Sequence, residues 1–124
     1  MTDLAIDHVQ IAIPVGGEGA ARRFYGVLLD LNELPKPPEM AGRGGCWFEI
    51  GGQQLHVGVE ADFRAAKKAH VAQATDDLTA LRRRIEAAGH MTKDDSPVDG
   101  RYRFFAEDPF GNRIEFMDRM ARGA

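Results

Sequence analysis

Four polar side chains stand in segments that otherwise have the alternating pattern of half-buried β-strands. They are His8 in "LAIDHVQIAI", His56 in "QQLHVGVE", His70 in "AHVAQAT" and Glu115 in "NRIEFMD". Successive side chains of a strand point to opposite sides, so three of the four lie on the face opposite the aliphatic residues of their segment. For His70 the alternation decides nothing, because its own face carries Ala72 and Ala74.

Three imidazoles and one carboxylate would form a ligand set for a divalent metal ion. Nitrogen and oxygen donors without sulfur suit ions such as Zn, Ni, Fe, Mn or Co. An unpaired charge at Glu115 would be costly between apolar neighbours, and a bound metal would offset that cost. A single histidine in a strand is more often a surface or hydrogen-bonded core residue, and His90 is explained by a predicted helix C-terminus. The hypothesis therefore depends on how the chain positions the other three histidines and Glu115.

The first half of the chain is predicted to contain a strand, a helix and three further strands. The first strand covers residues 4–13, and the helix lies in "GGEGAARRFYGVLLD". A short strand at 31–34, expected at an exposed sheet edge, precedes a loop rich in Pro and Gly. The segments "CWFEI" and "QQLHVGVE" are expected to form a hairpin through Gly51-Gly52. The apolar stripe of the helix is predicted to comprise Ala20, Phe24, Val27 and Leu28.

The second half of the chain repeats this order of elements. "AHVAQAT" is predicted to be a strand, and "DDLTALRRRIEAAG" a helix with a cap at Asp76 or Asp77 and an end at Gly89. Its apolar stripe is Leu78, Leu81 and Ile85. A weak strand near 91–94 precedes a loop rich in Pro, Gly and Asp. The strands "RYRFFAE" and "NRIEFMD" are joined by the turn "DPFG".

This internal repeat relates the four polar residues to one another. The strands that precede the two helices pair His8 with His70, and the two hairpins pair Gly52 with Gly111 and His56 with Glu115. Two packed copies of a motif are commonly related by an approximate twofold axis, which would bring equivalent strands together. We therefore expect the four side chains to converge.

Composition and charge limit the class of protein. The chain has 124 residues, 44% of them hydrophobic and 28% charged, as expected for one globular domain. A net charge of -3 gives no general attraction to nucleic acid. No apolar run approaches the roughly 20 residues that span a bilayer, and the N-terminus lacks the basic start of a signal peptide. The lone Cys46 agrees with a reducing compartment and is not expected to be catalytic. We expect a cytoplasmic protein without a nucleic-acid or membrane partner.

Several segments resemble the vicinal oxygen chelate superfamily, which includes glyoxalase I, extradiol dioxygenases, methylmalonyl-CoA epimerase and the fosfomycin and bleomycin resistance proteins. The similarity covers nearly the whole chain and is carried by "DHVQIAI", "ARRFYGVLLDL", "AHVAQATDDLTALRRRIEAAG" and above all "FFAEDPFGNRIEF". It implies an α+β fold in which two βαβββ modules form a cupped mixed sheet around a metal, with helices on the outer face. One such domain would span residues 1–124, with modules at about 1–61 and about 66–120. The implied metal ligands are His8, His56, His70 and Glu115.

The resemblance implies a metal-dependent enzyme whose small substrate chelates the ion through neighbouring oxygens. Lewis-acid stabilisation of an oxyanion would be the common chemistry. Isomerase or lyase chemistry and ring-cleaving dioxygenation both fit, and the latter requires iron or manganese. Glu115 could serve as ligand, base or both, and His56 as a fourth ligand or a proton carrier. His56 stands where glyoxalase I usually has a carboxylate, and Asp30 where the first module often has glycine; both are departures from the pattern.

The alternative function is that of a binding protein of the bleomycin or antibiotic resistance type, metal-free or non-catalytic. Its pocket would be lined by Trp47, Phe48, Tyr102 and Phe105. The ligand set counts against this alternative, because the metal-free members generally lack it.

Many small members of the superfamily pair two chains, so we expect a homodimer in which each site can draw strands from both.

Overall fold

The computed structural model describes residues 2–123 and contains two compact units, Met1–Arg64 and Ala65–Ala124. The boundary lies between the two modules expected from the repeat. That the modules together form a single domain stays a prediction. No helix in the described part of the chain is long and apolar enough to cross a membrane.

The first unit is built around a four-stranded mixed sheet. Its elements are β1 (His8–Ile13), α1 (Glu18–Ala21), a π-helical segment (Arg22–Leu28), β2 (Glu33–Leu34), a 3-10 helix (Pro38–Arg43), β3 (Cys46–Ile50) and β4 (Gln53–Val59). The strand order is β1-β4-β3-β2, with β1 parallel to β4 and the other neighbours antiparallel. The short strand β2 lies at a sheet edge, as predicted.

The second unit has the same topology. Its elements are β5 (Val71–Thr75), α2 (Leu78–Ala87), β6 (Lys93–Val98), β7 (Arg101–Glu107) and β8 (Arg113–Asp118). The strand order is β5-β8-β7-β6, and β5 is parallel to β8. The predicted internal repeat is therefore confirmed, and the two four-stranded mixed sheets match the two-module fold that the resemblance implied.

One face of the first sheet is apolar and packs against the helical segment. Ile13, Phe48 and Leu55 are at most 2% exposed, and the rings of Tyr25 and Phe48 lie 6.1 Å apart. Because side chains alternate along each strand, the opposite face carries the polar residues of β1 and β4. We call this surface polar face 1; it comprises His8, Gln10, Trp47, Gln54 and His56.

The second sheet is divided in the same way. Phe104, Ile114 and Phe116 are buried on the side of α2, where the Arg82 guanidinium lies 5.3 Å from the Phe104 ring centroid. Helix α2 begins as predicted, since the Asp77 carboxylate accepts a hydrogen bond from the Ala80 N–H. The opposite surface, polar face 2, comprises His70, Arg103, Phe105, Arg113 and Glu115.

Three predicted elements differ from the structure. The first strand begins at His8 and not at residue 4. In the first helix Val27 is 76% exposed, whereas Tyr25 and Leu29 are buried. The Leu29 N–H bonds to the Phe24 carbonyl, five residues back, and this wider turn rotates Val27 out of the apolar stripe.

The weak strand near 91–94 extends instead to Val98. It pairs with β7 through a two-residue turn at Asp99 and Gly100, which have φ angles of 52° and 76°. Two positive φ angles are typical of the type I′ hairpin turn, whose twist matches that of the flanking strands. The segment read as a loop therefore contains a hairpin.

The "DPFG" turn fixes the start of β8. The Asp108 carboxylate accepts hydrogen bonds from the backbone N–H groups of Phe110 and Asn112. The Asn112 side-chain oxygen accepts a bond from the Ala66 N–H, so the turn is tied to the segment that leads towards β5. Gly111 has a φ angle of 92°, a conformation that L-residues rarely adopt.

Gly111→Val is expected to lower the free energy of unfolding by about 1–3 kcal/mol through backbone strain. If Glu115 is a metal ligand, as expected from the sequence, the variant should also contain less metal, because the turn sets the register that places Glu115 on polar face 2. The repeat-equivalent Gly52→Val is the matched control, since Gly52 has no positive φ angle and open space around it. Chemical denaturation and elemental analysis of both variants would check this, and unchanged metal content in folded Gly111→Val would contradict it.

Candidate functional site

His8 and His56 form a stacked pair on polar face 1. Their strands are parallel neighbours, and their ring centroids lie 4.2 Å apart with an interplanar angle of 18°. The indole of Trp47, directly opposite His56 on β3, stacks on the other side at 4.0 Å and 2°. The His56 ring is therefore held between two other rings, in a fixed plane.

Each ring of this pair has one nitrogen beside an oxygen acceptor. His56 Nε2 lies 2.8 Å from Gln54 Oε1, and His8 Nδ1 lies 2.9 Å from Asp7 Oδ2. In the neutral tautomer that donates each bond, the second nitrogen of the ring has a free lone pair. Burial lowers the pKa of His56, and the charge of His8 lowers it further. Both effects favour the neutral imidazole, the form that binds metals.

His70 and Glu115 form the equivalent pair on polar face 2. His70 Nδ1 is 3.1 Å from the Lys68 carbonyl oxygen, and His70 Nε2 is 3.0 Å from Glu115 Oε1. If Nδ1 carries the proton that it donates to the carbonyl, a lone pair on Nε2 faces a carboxylate oxygen. Such a contact needs a positive species, which can be a second proton on His70 or a metal ion.

The distance in this pair is compatible with a shared metal. Two donors at about 2.1 Å from one ion, at an angle of about 90°, are about 3.0 Å apart. The His70 Nε2 and Glu115 Oε1 atoms have that separation. All three histidines also show the outer hydrogen bond that usually orients a metal-bound imidazole. The separation in the His70–Glu115 pair therefore suits two ligands of one first-row divalent ion.

The expectation that Glu115 would be unpaired without a metal is wrong. Its Oε2 atom lies 3.4 Å from Arg103 Nη1, with the two side chains 10% and 19% exposed, respectively. Arg103 also contacts Asp95, at 3.3 Å. The carboxylate is thus neutralised in part by the protein itself, because Arg103 is directly diagonal to it across β7 and β8.

The structure brings the four predicted residues together as two pairs. Within residues 2–123, no group of three His, Cys, Asp or Glu side chains is arranged so that it could hold a metal ion. The two pairs occupy equivalent register positions, since His56 is opposite Gln10 on β1 and Glu115 is opposite Ala72 on β5. The predicted repeat relation is therefore present within each sheet, and convergence of all four residues stays a prediction.

The proposed aromatic lining is divided between faces. Trp47 and Phe105 lie on the polar faces, and the Phe105 ring contacts His70 edge-on at 5.4 Å. Phe48 and Tyr102 lie on the opposite faces, by the alternation of their strands. The expected grouping of these four residues in one pocket is wrong, because Trp47 and Phe48, and likewise Tyr102 and Phe105, point to opposite faces of their sheets.

Two residues that contact predicted ligands were not predicted from the sequence. Arg103 contacts Glu115 across the β7–β8 register, and Gln54 contacts His56 from two residues earlier on β4. The alternation in "RYRF" could have placed Arg103 on the face of Phe105. Cys46 is 1% exposed, and burial raises its pKa to about 11, so a reactive thiolate is not expected at neutral pH.

Comparisons with known proteins agree with this fold. A protein from Bacillus anthracis described as belonging to the glyoxalase family is 44% identical, covering 97% of this chain and 98% of that chain, with a TM-score of 0.91. A glyoxalase family protein from Enterococcus faecalis is 20% identical, with coverage of 95% and 100% and a TM-score of 0.73. The fosfomycin resistance protein FosX from Listeria monocytogenes is 14% identical, with coverage of 96% for each chain and a TM-score of 0.75. The latter two share the fold.

The sequence itself matches a family profile over most of its length. A search among curated proteins found no match. The profile of the Glyoxalase/Bleomycin resistance protein/Dioxygenase superfamily matches residues 5–116. The chain belongs to the Glyoxalase/Bleomycin resistance protein/Dioxygenase superfamily.

Proposed function

We propose that the protein is a metal-dependent enzyme that acts on a small molecule with neighbouring oxygen donors. The observation that carries this proposal is the His70–Glu115 contact, in which His70 Nδ1 is beside a carbonyl and Nε2 is 3.0 Å from the carboxylate. An imidazole oriented in this way presents a lone pair towards a site for a cation. The stacked pair of His8 and His56 at the equivalent register supplies the remaining donors.

The proposed ligands are His8, His56, His70 and Glu115, and the ion is Zn, Ni, Fe, Mn or Co. When bound, such an ion would polarise the oxygens of a chelating substrate. Arg103 holds Glu115 Oε2 and leaves Oε1 directed at His70. Glu115 is thereby positioned to accept a proton from the substrate. The role proposed for His56, besides metal binding, is to carry a proton. Isomerase or lyase chemistry and dioxygenation are both compatible with these roles.

Elemental analysis of protein purified without a metal-affinity tag tests the proposal. We expect stoichiometric metal in the wild type and strongly reduced metal in His70→Ala. His90→Ala removes a histidine outside the two pairs and should retain the ion. A screen of metals against candidate substrates would then identify the reaction. Metal-free wild-type protein that does not bind any of the five ions after chelation would contradict the proposal.

We further propose a homodimer. In the described part of the chain, each four-stranded sheet has two edge strands with a neighbour on one side only, β1 and β2 in the first sheet and β5 and β6 in the second. Pairing of two chains would cover such edges and could bring His8 and His56 of one chain to His70 and Glu115 of the partner. We expect light scattering at micromolar concentration to give twice the chain mass of 13.7 kDa. A metal-loaded monomer would rule this out.

One observation favours the alternative of a binding protein without turnover. The His70–Glu115–Arg103 contacts provide Glu115 with cationic or protonated partners, so the carboxylate does not require a metal to be tolerated. In that case the aromatic rings of Trp47 or Phe105 would contact the bound molecule. A ligand that is bound by chelator-treated protein and recovered unchanged from the metal-loaded protein would support this alternative.

A further inference from the structure

The second unit contains a cavity of about 810 Å³ beside polar face 2. Its lining comes from the start of β6, the end of β7 and the start of β8, and one lining residue, Phe105, contacts the His70 ring. Among its lining residues are Lys67, Lys93, Phe105, Glu107, Asp108 and Arg113. A concave site of this size can hold a small organic molecule.

The lining carboxylates of this cavity already have partners. Asp94 and Asp95 pair with Arg82 and Arg103, respectively. Glu107 Oε2 lies 3.5 Å from Lys67 Nζ. The Asp108 carboxylate accepts backbone N–H bonds within the "DPFG" turn. The negative charges in the lining are therefore engaged by cations or by N–H donors.

Two lining cations are not engaged in this way. The Arg113 guanidinium lies 3.9 Å from the centroid of the Phe105 ring, and Lys93 is opposite Phe105 on β6. Within residues 2–123, neither side chain has a carboxylate at ion-pair distance. Stacking on an aromatic ring occupies the face of a guanidinium but leaves the N–H groups at its edge free. The cavity therefore places two cations beside an aromatic ring without a carboxylate at ion-pair distance, and Glu107, directly opposite Arg113 on β7, pairs with Lys67.

We propose that this cavity binds the oxyanion group of a small molecule, a carboxylate or a phosphonate or phosphate, between Arg113 and Lys93. Arg113 would donate two parallel hydrogen bonds to the oxyanion, and Lys93 would add a second positive charge. The carbon skeleton next to the anion would contact Phe105.

The position of Phe105 connects this cavity with the candidate metal pair. Its ring contacts His70 at 5.4 Å, and its backbone is directly opposite Glu115. A molecule with its anion at Arg113 could thus extend over Phe105 towards Glu115. If the proposed function holds, on which this step rests, the substrate carries an anionic group in addition to its chelating oxygens.

Calorimetric titration of chelator-treated protein tests oxyanion binding apart from metal binding. The probes are phenylphosphonate and benzoate, with uncharged benzyl alcohol as the control ligand. We expect both anions to bind, more weakly as salt is added, and benzyl alcohol to bind at least tenfold more weakly. Comparison of the two anions distinguishes a phosphonate site from a carboxylate site.

Two variants and a matched control locate the site. Arg113→Met should weaken anion binding at least tenfold, and Lys93→Met should weaken it several-fold, because each removes one of the two uncommitted cations. Arg84→Met removes the same charge from the exposed side of α2 and should leave binding unchanged. Circular dichroism would verify folding, and Lys93→Met on an exposed strand keeps the test valid if Arg113→Met is unstable.

Several results would overturn the inference. They are the absence of binding by both anions at millimolar concentration, equal binding of benzyl alcohol, and equal weakening by Arg84→Met and Arg113→Met. Anion binding by a protein that never takes up metal would support the oxyanion site while contradicting the proposed function. The two proposals can therefore fail separately.

Discussion

Glu115→Gln is expected to weaken metal binding by more than about 100-fold and to abolish turnover. The loss of an outer hydrogen-bond partner alone typically costs about 10- to 100-fold in metal affinity, and this variant removes the only anionic donor of the proposed set. The amide keeps the size of the carboxylate, so the effect reports charge and donor strength. Affinity would be measured by competition with a chromophoric chelator. Glu60→Gln, at an exposed position, is the control and should retain wild-type affinity.

The same variant should also be less stable without metal. Arg103 Nη1 lies 3.4 Å from Glu115 Oε2, and His70 contacts the other oxygen. Loss of the carboxylate charge would leave Arg103 with Asp95 as its remaining acidic partner. We expect a decrease of about 1–2 kcal/mol in the free energy of unfolding, below the cost of stranding a fully buried charge. An unpaired charge at Glu115, as expected from the sequence, would instead leave the metal-free variant unchanged or slightly stabilised, so the ion pair with Arg103 reverses the expected sign.

Thermal melts of wild type and Glu115→Gln, each with and without excess chelator, separate the two effects. We expect chelator to lower the wild-type melting temperature and to leave that of the variant unchanged, because only the wild type retains an ion. The difference between the two chelated proteins then measures the ion pair with Arg103. If chelator does not change the wild-type melt, on protein first shown to contain stoichiometric metal, Glu115 is not a ligand.

The order of the elements and the β3–β4 and β7–β8 hairpins could be predicted because each depends on short-range signals. The Gly51-Gly52 turn, the Asp77 cap and the alternation of "QQLHVGV" are all local features, and the structure contains the hairpin, helix and strand that they predict. The repeat then related the assignments in one half of the chain to those in the other, and the structure shows the same strand order in both sheets. Its register is preserved closely enough that His56 and Glu115 occupy equivalent positions.

The misassigned elements required information that local patterns do not contain. The stripe of the first helix was predicted from ordinary α-helical spacing, but the bond from Leu29 N–H to Phe24 changes that spacing. Pro97 and the acidic residues of "KDDSPV" disfavour a strand, yet pairing with β7 forms one at the sheet edge. In both cases the spacing of apolar residues along the segment does not reveal the interaction that decides its structure, a five-residue backbone hydrogen bond in the first and strand pairing in the second.

For the candidate site, the sequence could predict the strand face on which a residue lies, but not the side chains that the residue contacts. Alternation and the repeat indicated His8, His56 and Glu115, and the structure places each on the polar face of its sheet. The Arg103 contact was not predicted because it depends on a diagonal relation between β7 and β8. The length of the Arg103 side chain, and not the spacing of Arg103 and Glu115 in the sequence, brings the guanidinium to the carboxylate.

His56→Ala is expected to weaken metal binding by more than about 100-fold if the imidazole is a ligand, as proposed. Gln54→Ala removes the partner of His56 Nε2 at 2.8 Å but leaves the ring, so its effect should stay within the range of about 10- to 100-fold for an orienting residue. Trp47→Phe retains a stacked ring and is expected to change affinity little. The three variants therefore distinguish donation by His56 from orientation of His56.

Trp47 provides a local measurement of this prediction. It is the only tryptophan of the chain, and its indole lies 4.0 Å from the His56 ring. Titration of chelator-treated wild type with Ni²⁺ should change its emission at one equivalent, because a paramagnetic ion held by the neighbouring imidazole would quench the indole. The Gln54→Ala protein should show the same change at higher Ni²⁺ concentration. If His56→Ala and Gln54→Ala require the same Ni²⁺ concentration, His56 orients the site or carries protons without binding the metal, and the proposed four-residue set reduces to His8, His70 and Glu115.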